Sequence, residues 1–253
     1  LSKDYNEETP EAEIIRSALD DKNWKIRENA VAACEKLCKG TNSAAIQKKL
    51  MDIGVYDQKA SVREEAISML DEHFSGDDLI PYFQNATRDS SFDVVESAFM
   101  GLASEEPTVA LRLAYEYEKD THERMTAILA SLYSKYGSDA QMAYMNKALT
   151  MSTGFSTYSR LQQYTRFLQR CRQELNISAG ISRIFETGRN SENWVVRLAA
   201  VQSLTEFGNY CAEQSKTASK SGDTALASKW EHDRTTTIEF TNALKQQETN
   251  EML

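Results

Sequence analysis

One pattern occurs twice in this chain, with its two copies starting 170 residues apart. The first copy, "DKNWKIRENAVAAC", spans residues 21–34, and the second, "SENWVVRLAAVQSL", spans residues 191–204. The copies share five identical positions, which are Asn23/Asn193, Trp24/Trp194, Arg27/Arg197, Ala30/Ala200 and Val31/Val201. Repetition of this kind is typical of repeat architectures, in which each unit packs mainly on its neighbours.

Two more copies follow the first one. "DQKASVREEAISML", residues 57–70, aligns without gaps, while "DSSFDVVESAFMGL", residues 89–102, keeps Asp89 but has Val95 where the others have Arg. The copies start 36 and then 32 residues apart, and the 102 residues from Asp89 to Ser191 leave room for three more units of about 34. The sequence therefore predicts a repeat that continues along the chain.

Each copy is laid out like a helix with a defined start. An Asp or Ser precedes it and can cap the first backbone N–H groups. Apolar residues then recur three and four positions apart, in the first copy Ile26, Ala30, Val31, Cys34 and Leu37. This spacing predicts one apolar stripe, and the Ala predicts a close approach between helices. One helix cannot bury such a stripe alone, so we expect second helices, near residues 43–51 and 78–85, and stacking between units.

The pattern resembles HEAT repeats and predicts an all-α fold, an α-α superhelix of HEAT- or armadillo-like helical-hairpin repeats. We expect a single domain over residues 1–253. Clear repeats cover residues 15–102 and 189–207, a divergent helical middle covers 103–188, and a last helix covers 223–248 after a break at "SKTASKSGD". In the middle, spacing predicts one helical face that runs from Tyr158 to Leu175. Three prolines and ten glycines argue against a turn-rich β fold.

The recurring arginines allow two interpretations. They could form a row of cations for an anionic partner, or a structural ladder in which each Arg bonds to the Asp or carbonyls of its own or an adjacent turn. We favour the ladder because aspartates recur with the arginines. Trp24 and Trp194 are expected to pack at the helix starts. The predicted ladder comprises Asp21, Arg27, Asp57, Arg63, Asp89 and Arg197.

No catalytic or cofactor-binding motif is present in the sequence. The three histidines include one His-Glu pair, His122-Glu123, and no H-E-x-x-H motif. Cys34 and Cys38 are predicted to lie one turn apart on one helix, and a zinc site there would need two further ligands nearby. We therefore expect buried free thiols, and neither a catalytic residue nor a metal or cofactor site in this chain.

Charge and hydropathy bear on the partners. The net charge of −9 argues against nucleic acid and against a helical-repeat DNA glycosylase, which would need a basic concave face. The sequence lacks the apolar run of about 18 residues that a membrane span needs, so no membrane partner is expected. The compartment is not indicated by the four cysteines.

Four stretches carry a narrower resemblance. They are "ALDDKNWKIRENAV" (18–31), "YEYEKDTHERMTAILASLYSKYGSD" (115–139), "TGFSTYSRLQQYTRFL" (153–168) and "QQETNEML" (246–253). Together they resemble the C-terminal helical domain of aminopeptidase N-like zinc metallopeptidases of the gluzincin type. The polar start, "LSKDYNEETPE", lacks an initiator Met, and we expect the chain to be a piece of a longer protein.

The resemblance implies an accessory role. The zinc ligands, the catalytic Glu and the G-x-M-E-N motif of that family lie in an upstream catalytic domain, so no catalytic residue can be assigned here. Such a domain packs against its catalytic domain and limits access of peptides to the active site; the zinc would belong to the parent enzyme. If the resemblance is false, the sequence favours a stand-alone HEAT-repeat scaffold for protein–protein interaction.

Overall fold

The computed structural model describes residues 9–39 and 43–251. These residues form thirteen α-helices and no strand, which confirms the predicted all-α helical-repeat class. None of the helices in this part of the chain is long and apolar enough to cross a bilayer. The helices are α1 (Pro10–Ala18), α2 (Trp24–Ala33), α3 (Ser43–Tyr56), α4 (Ala60–His73), α5 (Leu79–Ala86), α6 (Phe92–Glu105), α7 (Pro107–Tyr117), α8 (Glu123–Tyr136), α9 (Met142–Met151), α10 (Phe155–Leu168), α11 (Glu174–Arg189), α12 (Trp194–Lys220) and α13 (Thr224–Glu251).

The chain contacts divide it into two compact units, residues 1–119 and 120–253. In the first unit, α1/α2, α3/α4 and α5/α6 form helical hairpins, α2, α4 and α6 pack in succession, and α7 packs on α6. In the second unit, α8 packs on α9 and α10, α9/α10 and α11/α12 form hairpins, and α13 packs along α12. The expectation of a single domain over residues 1–253 stays a prediction.

The even-numbered helices from α2 to α12 start at equivalent positions. Between Asp89 and Ser191, two further starts follow Asp120 and Ser152, each two residues before the residue that caps the helix. Helices α8 and α10 of the divergent middle thus begin as α2, α4 and α6 do, although the middle carries few of the repeat's own residues. The predicted extent of the repeat along the chain stays a prediction. Helices α3 and α5 match the predicted second helices, α3 being five residues longer than predicted.

The apolar stripe forms the core. One position of the stripe holds a small residue, which is alanine in four of the helices. All four alanines are buried: Ala30, Ala66, Ala98 and Ala200. The next position, Val31, Ile67 or Phe99, is completely buried in the first unit. Close approach follows from the small side chains, as at Gly188 of α11, where an added Cβ would lie 2.5 Å from the Ala200 Cβ.

The first copy differs from its predicted stripe at both ends. Ile26 is exposed. Helix α2 ends at Ala33, and Cys34 begins a 3-10 turn, so the prediction that Cys34 and Cys38 share one α-helix is wrong. Both thiols are buried and free, and burial raises the pKa of Cys34 to about 12 and that of Cys38 to about 11.

The predicted continuous face from Tyr158 to Leu175 is also wrong. Helix α10 ends at Leu168, α11 begins at Glu174, and Leu175 is exposed. The carboxylate of Asp139 stabilises the break, because it accepts hydrogen bonds from the backbone N–H groups of Arg172 (2.8 Å) and Gln173 (3.1 Å). The helical spacing of apolar residues would continue through this point, but a hydrogen-bond acceptor 33 residues earlier in the chain stabilises the end of the helix.

Helix α12 continues through most of the polar segment that we predicted would break it. It ends at Lys220, and the chain reverses at Gly222, whose φ of 81° is in the left-handed region that glycine tolerates. Asp223 caps the last helix as expected, since its Oδ1 accepts the Leu226 N–H at 2.9 Å. That helix, predicted over 223–248, spans Thr224–Glu251.

A carboxyl group is buried in α13. Asp233 is 3% exposed, and its Oδ2 has no hydrogen-bond partner among the described residues. Burial raises the pKa of Asp233. The positive charges of Lys229 and His232 act to lower this pKa but are outweighed, and the negative charge of Glu174 raises it further. The folded state therefore binds the Asp233 proton more tightly than the unfolded state does.

We expect Gly188→Ala to lower the free energy of unfolding by about 1–2 kcal/mol, because overpacking against Ala200 exceeds the gain in helix propensity. Urea unfolding followed by circular dichroism measures the change. Ser182→Ala on the exposed side of the same helix is the control and should not destabilise the protein. Equal stability of the Gly188→Ala variant and the parent would contradict the close approach of α11 and α12.

We expect Asp233→Asn to stabilise the protein at pH 7. When folding raises the pKa of a carboxyl group, the protein loses stability as the pH rises from the unfolded-state pKa of that group through its folded-state pKa. The advantage of Asp233→Asn should therefore shrink towards pH 3.5, where Asp233 is protonated. Urea unfolding at both pH values tests this, with exposed Asp77→Asn as control, and an advantage that is equal at both pH values would refute it.

Candidate functional site

The side chain of Arg27 joins two successive turns of the first unit. Its Nε and Nη2 donate to Asp57 Oδ2 (2.6 Å) and Oδ1 (2.8 Å), while Nη1 donates to the Asp21 backbone oxygen (2.8 Å). The two-pronged contact with Asp57 uses the planar geometry of the guanidinium. One side chain thereby binds the turn before its own helix and the turn of the next hairpin.

The same arrangement recurs one repeat later. Arg63 Nε and Nη2 donate to Asp89 Oδ2 (2.8 Å) and Oδ1 (2.7 Å), and Nη1 donates to the Asp57 backbone oxygen (2.8 Å). The carboxylates have a second role, since Asp57 Oδ1 also accepts the Lys59 N–H (2.8 Å). These contacts link three consecutive turns, and we call them the Arg–Asp ladder: Asp21, Arg27, Asp57, Arg63 and Asp89.

In the second unit, Arg197 makes the contacts to its own turn. Its Nη1 donates to the backbone oxygens of Ser191 and Glu192, both at 3.0 Å. Asp120 belongs to the same set of turns, because its Oδ1 accepts the His122 N–H (2.7 Å), as Asp21 Oδ1 accepts the Asn23 N–H (2.7 Å). Sequence reasoning missed Asp120, although an Asp two residues before a capping residue was the available signal.

Burial and charge define the electrostatics of the ladder. Burial is the largest single influence and by itself would raise the pKa of Asp57 and Asp89. The hydrogen bonds from Arg27 and Arg63, those from the backbone N–H groups of Lys59 and Ser91, and the charges of the arginines together outweigh burial and lower the pKa of both carboxyl groups. The side chains of Arg27 and Asp57 are 16% and 6% exposed. Because carboxylates already engage these two guanidinium groups, the geometry favours a structural role over recognition of an anionic partner.

The expected packing of the two tryptophans needs correction. Trp24 is 41% exposed, with the Lys59 amine 4.8 Å from its ring centroid, and Trp194 is 62% exposed. Each is the first residue of its helix, and helical side chains tilt towards the helix N-terminus. Both rings therefore lie largely in water and outside the buried layer.

Sequence reasoning missed a third exposed ring at the same position. Phe155, the first residue of α10, is 81% exposed. Helices α10 and α12 contact each other, and Tyr158 Oη donates to Gln202 Oε1 between them (3.3 Å). Leu198, one turn after Trp194, is also exposed. We call Phe155, Trp194 and Leu198 the α10–α12 apolar edge.

A polar cavity lies beside this edge. It has a volume of about 480 Å³, and Thr153 and Gly154 line it from the start of α10, Asn193 from the start of α12, and Arg183 from α11. A second cavity of about 480 Å³ in the first unit is lined by ladder residues Asp21, Arg27 and Asp57. Both are open depressions between successive turns.

His122 and the four cysteines lie within the helical framework. His122 caps α8, since its Nδ1 accepts the Arg124 N–H at 3.2 Å. The four thiols are buried. Within residues 9–39 and 43–251, His, Cys, Asp and Glu side chains form no cluster of three or more that could hold a metal ion.

Comparison with known protein families gives one match. A HEAT repeat profile matches residues 13–41, a segment that includes most of α1, the turn with Asp21 and all of α2. A comparison with curated proteins gives no match. The matched segment and the repeated hairpins together support a HEAT-like helical-repeat fold.

We expect Arg27→Ala to lower the free energy of unfolding by about 1–3 kcal/mol, because a partly buried charge-assisted hydrogen bond is lost and Asp57 is left without its cation. Arg197→Ala, which breaks the bonds to Ser191 and Glu192, should act in the same direction. Exposed Lys25→Ala is the control. Unchanged thermal melting of Arg27→Ala, together with loss of a partner, would instead favour a binding role for the ladder.

Proposed function

We propose that this domain acts by binding protein surfaces and does no chemistry of its own. The observation that carries this proposal is the α10–α12 apolar edge, where large apolar side chains at the starts of neighbouring helices remain in water. Trp and Phe side chains are enriched at the cores of protein–protein interfaces, and Trp is also enriched among the residues that dominate the binding energy. The polar cavity beside them, with Arg183 and Asn193, supplies the polar surroundings typical of such an interface.

For the partner, we propose the catalytic domain of an aminopeptidase N-like zinc metallopeptidase. The resemblance at residues 18–31, 115–139 and 153–168 supports this partner, and the last stretch includes Phe155 of the apolar edge. The fourth stretch, 246–253, extends beyond the described residues. In this role the domain would pack on the catalytic domain and limit the access of peptides, and the zinc would be bound by that domain.

A stand-alone scaffold for another protein is the second candidate, favoured by the HEAT repeat match, which by itself points to no enzyme. The two candidates differ in the encoding gene. An upstream reading frame that contains H-E-x-x-H would favour the accessory domain, and an upstream frame without it would favour the scaffold.

An activity assay tests both the role and the partner. The 253-residue chain is assayed for aminopeptidase activity with added zinc, alone and mixed with the protein encoded upstream. We expect no activity from the chain alone, and activity or tight binding in the mixture. Activity from the chain alone would refute the non-catalytic proposal, while inactivity and lack of binding in the mixture would leave the scaffold.

We expect the double variant Phe155→Ala/Trp194→Ala to bind the upstream catalytic domain about 30-fold or more weakly, the effect of losing about 2 kcal/mol at an interface centre. Isothermal titration calorimetry measures the affinity. Leu175→Ala, which removes an exposed side chain of α11, is the matched control and should bind as the parent does. Equal losses in both variants, or no loss in either, would exclude the apolar edge as the contact.

A further inference from the structure

Arg160 of α10 is a buried cation without a carboxylate partner. The residue is 4% exposed, and its Nη1 donates to the Thr126 backbone oxygen (3.2 Å) and to Gln163 Oε1 (2.8 Å). Its Nε has no hydrogen-bond partner, and no carboxylate of the described residues forms an ion pair with it. A guanidinium removed from water in this way is costly unless an anion compensates it.

Arg160 lines a small cavity between the starts of α8 and α10 and the end of α9. The cavity has a volume of about 90 Å³. Most of its other lining residues carry hydroxyl groups, namely Thr121, Thr126, Ser152, Thr153 and Ser156. The hydroxyl groups of Thr126, Ser152 and Ser156 donate to backbone oxygens, whereas those of Thr121 and Thr153 donate to none of the described residues. The cavity thus combines a cation with hydroxyl donors.

The backbone adds positive potential from two directions. Helices α8 and α10, of 14 residues each, both begin at this cavity, and helix N-termini carry partial positive charge. The start of α8 is capped by His122, but the cap residue of α10 is Gly154, which has no side chain to offer. The electrostatic contribution of the helix ends therefore has the same sign as that of Arg160.

One carboxylate opposes this potential. Glu123, the first residue of α8, lines the cavity, and its charge acts on Arg160 without forming an ion pair. Its side chain is exposed, so it remains largely in water. An anion in the cavity would be attracted by Arg160 and the helix ends and repelled by Glu123. Removal of the Glu123 charge therefore tests whether the ligand is negatively charged.

We propose that this cavity binds a tetrahedral oxyanion of the phosphate class, held by the Arg160 guanidinium and the hydroxyl groups of Thr121 and Thr153. A volume of about 90 Å³ accommodates a phosphoryl group and excludes a nucleoside. The ligand is orthophosphate or the phosphoryl group of a small monoester. This site goes beyond the protein-binding role, because it depends on the buried Arg160 and uses no residue of the α10–α12 apolar edge; Thr153 alone of its three proposed ligand groups also lines the cavity beside that edge.

Isothermal titration calorimetry of the full chain with orthophosphate and with methyl phosphate tests the proposal. We expect binding of orthophosphate that weakens about tenfold or more in Arg160→Met, since a charge-assisted contact is lost. Arg166→Met removes an exposed arginine from the same helix and should bind as the parent does. Binding of both probes would assign a phosphoryl ester, and binding of orthophosphate alone would assign the free ion.

Absence of binding for both probes, or equal binding by the parent and folded Arg160→Met, would overturn the proposal. Since Arg160→Met also loses bonds to Thr126 and Gln163, circular dichroism first establishes that it folds. If it does not fold, Glu123→Gln decides. Tighter phosphate binding by Glu123→Gln supports the oxyanion site. Unchanged or weaker binding would show that Glu123 does not repel the ligand, and it would overturn the proposal.

Discussion

Each unit depends on the packing of successive even-numbered helices, which are α2, α4 and α6 in the first unit and α8, α10 and α12 in the second. A helical hairpin of this length exposes more apolar surface than it can bury by itself, so each hairpin is stable only against its neighbour. Alanine on the contact stripe of α2, α4, α6 and α12 keeps the helices close, and the following large residues, such as Phe99, fill the layer between them. Stability is therefore a property of neighbours rather than of single hairpins.

The Arg–Asp ladder fixes how successive helices are placed along one another in this packing. Apolar stripes by themselves allow helices to slide, because dispersion contacts are not directional. The two-pronged bonds from Arg27 to Asp57 and from Arg63 to Asp89 require one relative placement of successive turns. Asp57 and Asp89 each also accept a hydrogen bond from a backbone N–H of their own turn. The same carboxylate therefore shapes its turn and joins it to α2 or α4, the even-numbered helix of the preceding hairpin.

The candidate binding features lie where the second unit departs from this pattern. At the position of the ladder arginines, α8 has Thr126 and α10 has Tyr158, and Ser152 takes the place of the turn aspartate. The turns that begin α8 and α10 present hydroxyl groups, a buried Arg160 and an exposed ring at Phe155, and Trp194 is exposed at the start of α12. The two proposed binding features both use residues at these helix starts.

The sequence by itself determined the helical class, and it predicted a repeat of 32 to 36 residues and a ladder of Asp and Arg residues. These follow from local rules, namely the spacing of apolar residues, the capping residues and the recurrence of Asp and Arg at fixed offsets. The hidden starts at Asp120 and Ser152 were predictable only as space for further units, because the local residues there have diverged.

Only the tertiary structure decided which side chains stay in water and which charges lack partners. From the sequence we interpreted Trp24 and Trp194 as packing residues, yet both side chains are exposed in the structure. Arg160 looked like one arginine among many, and its burial between α8, α9 and α10 is set by residues 34 positions away. Exposure and charge compensation are properties of assembled surfaces, so helical spacing along the chain does not encode them.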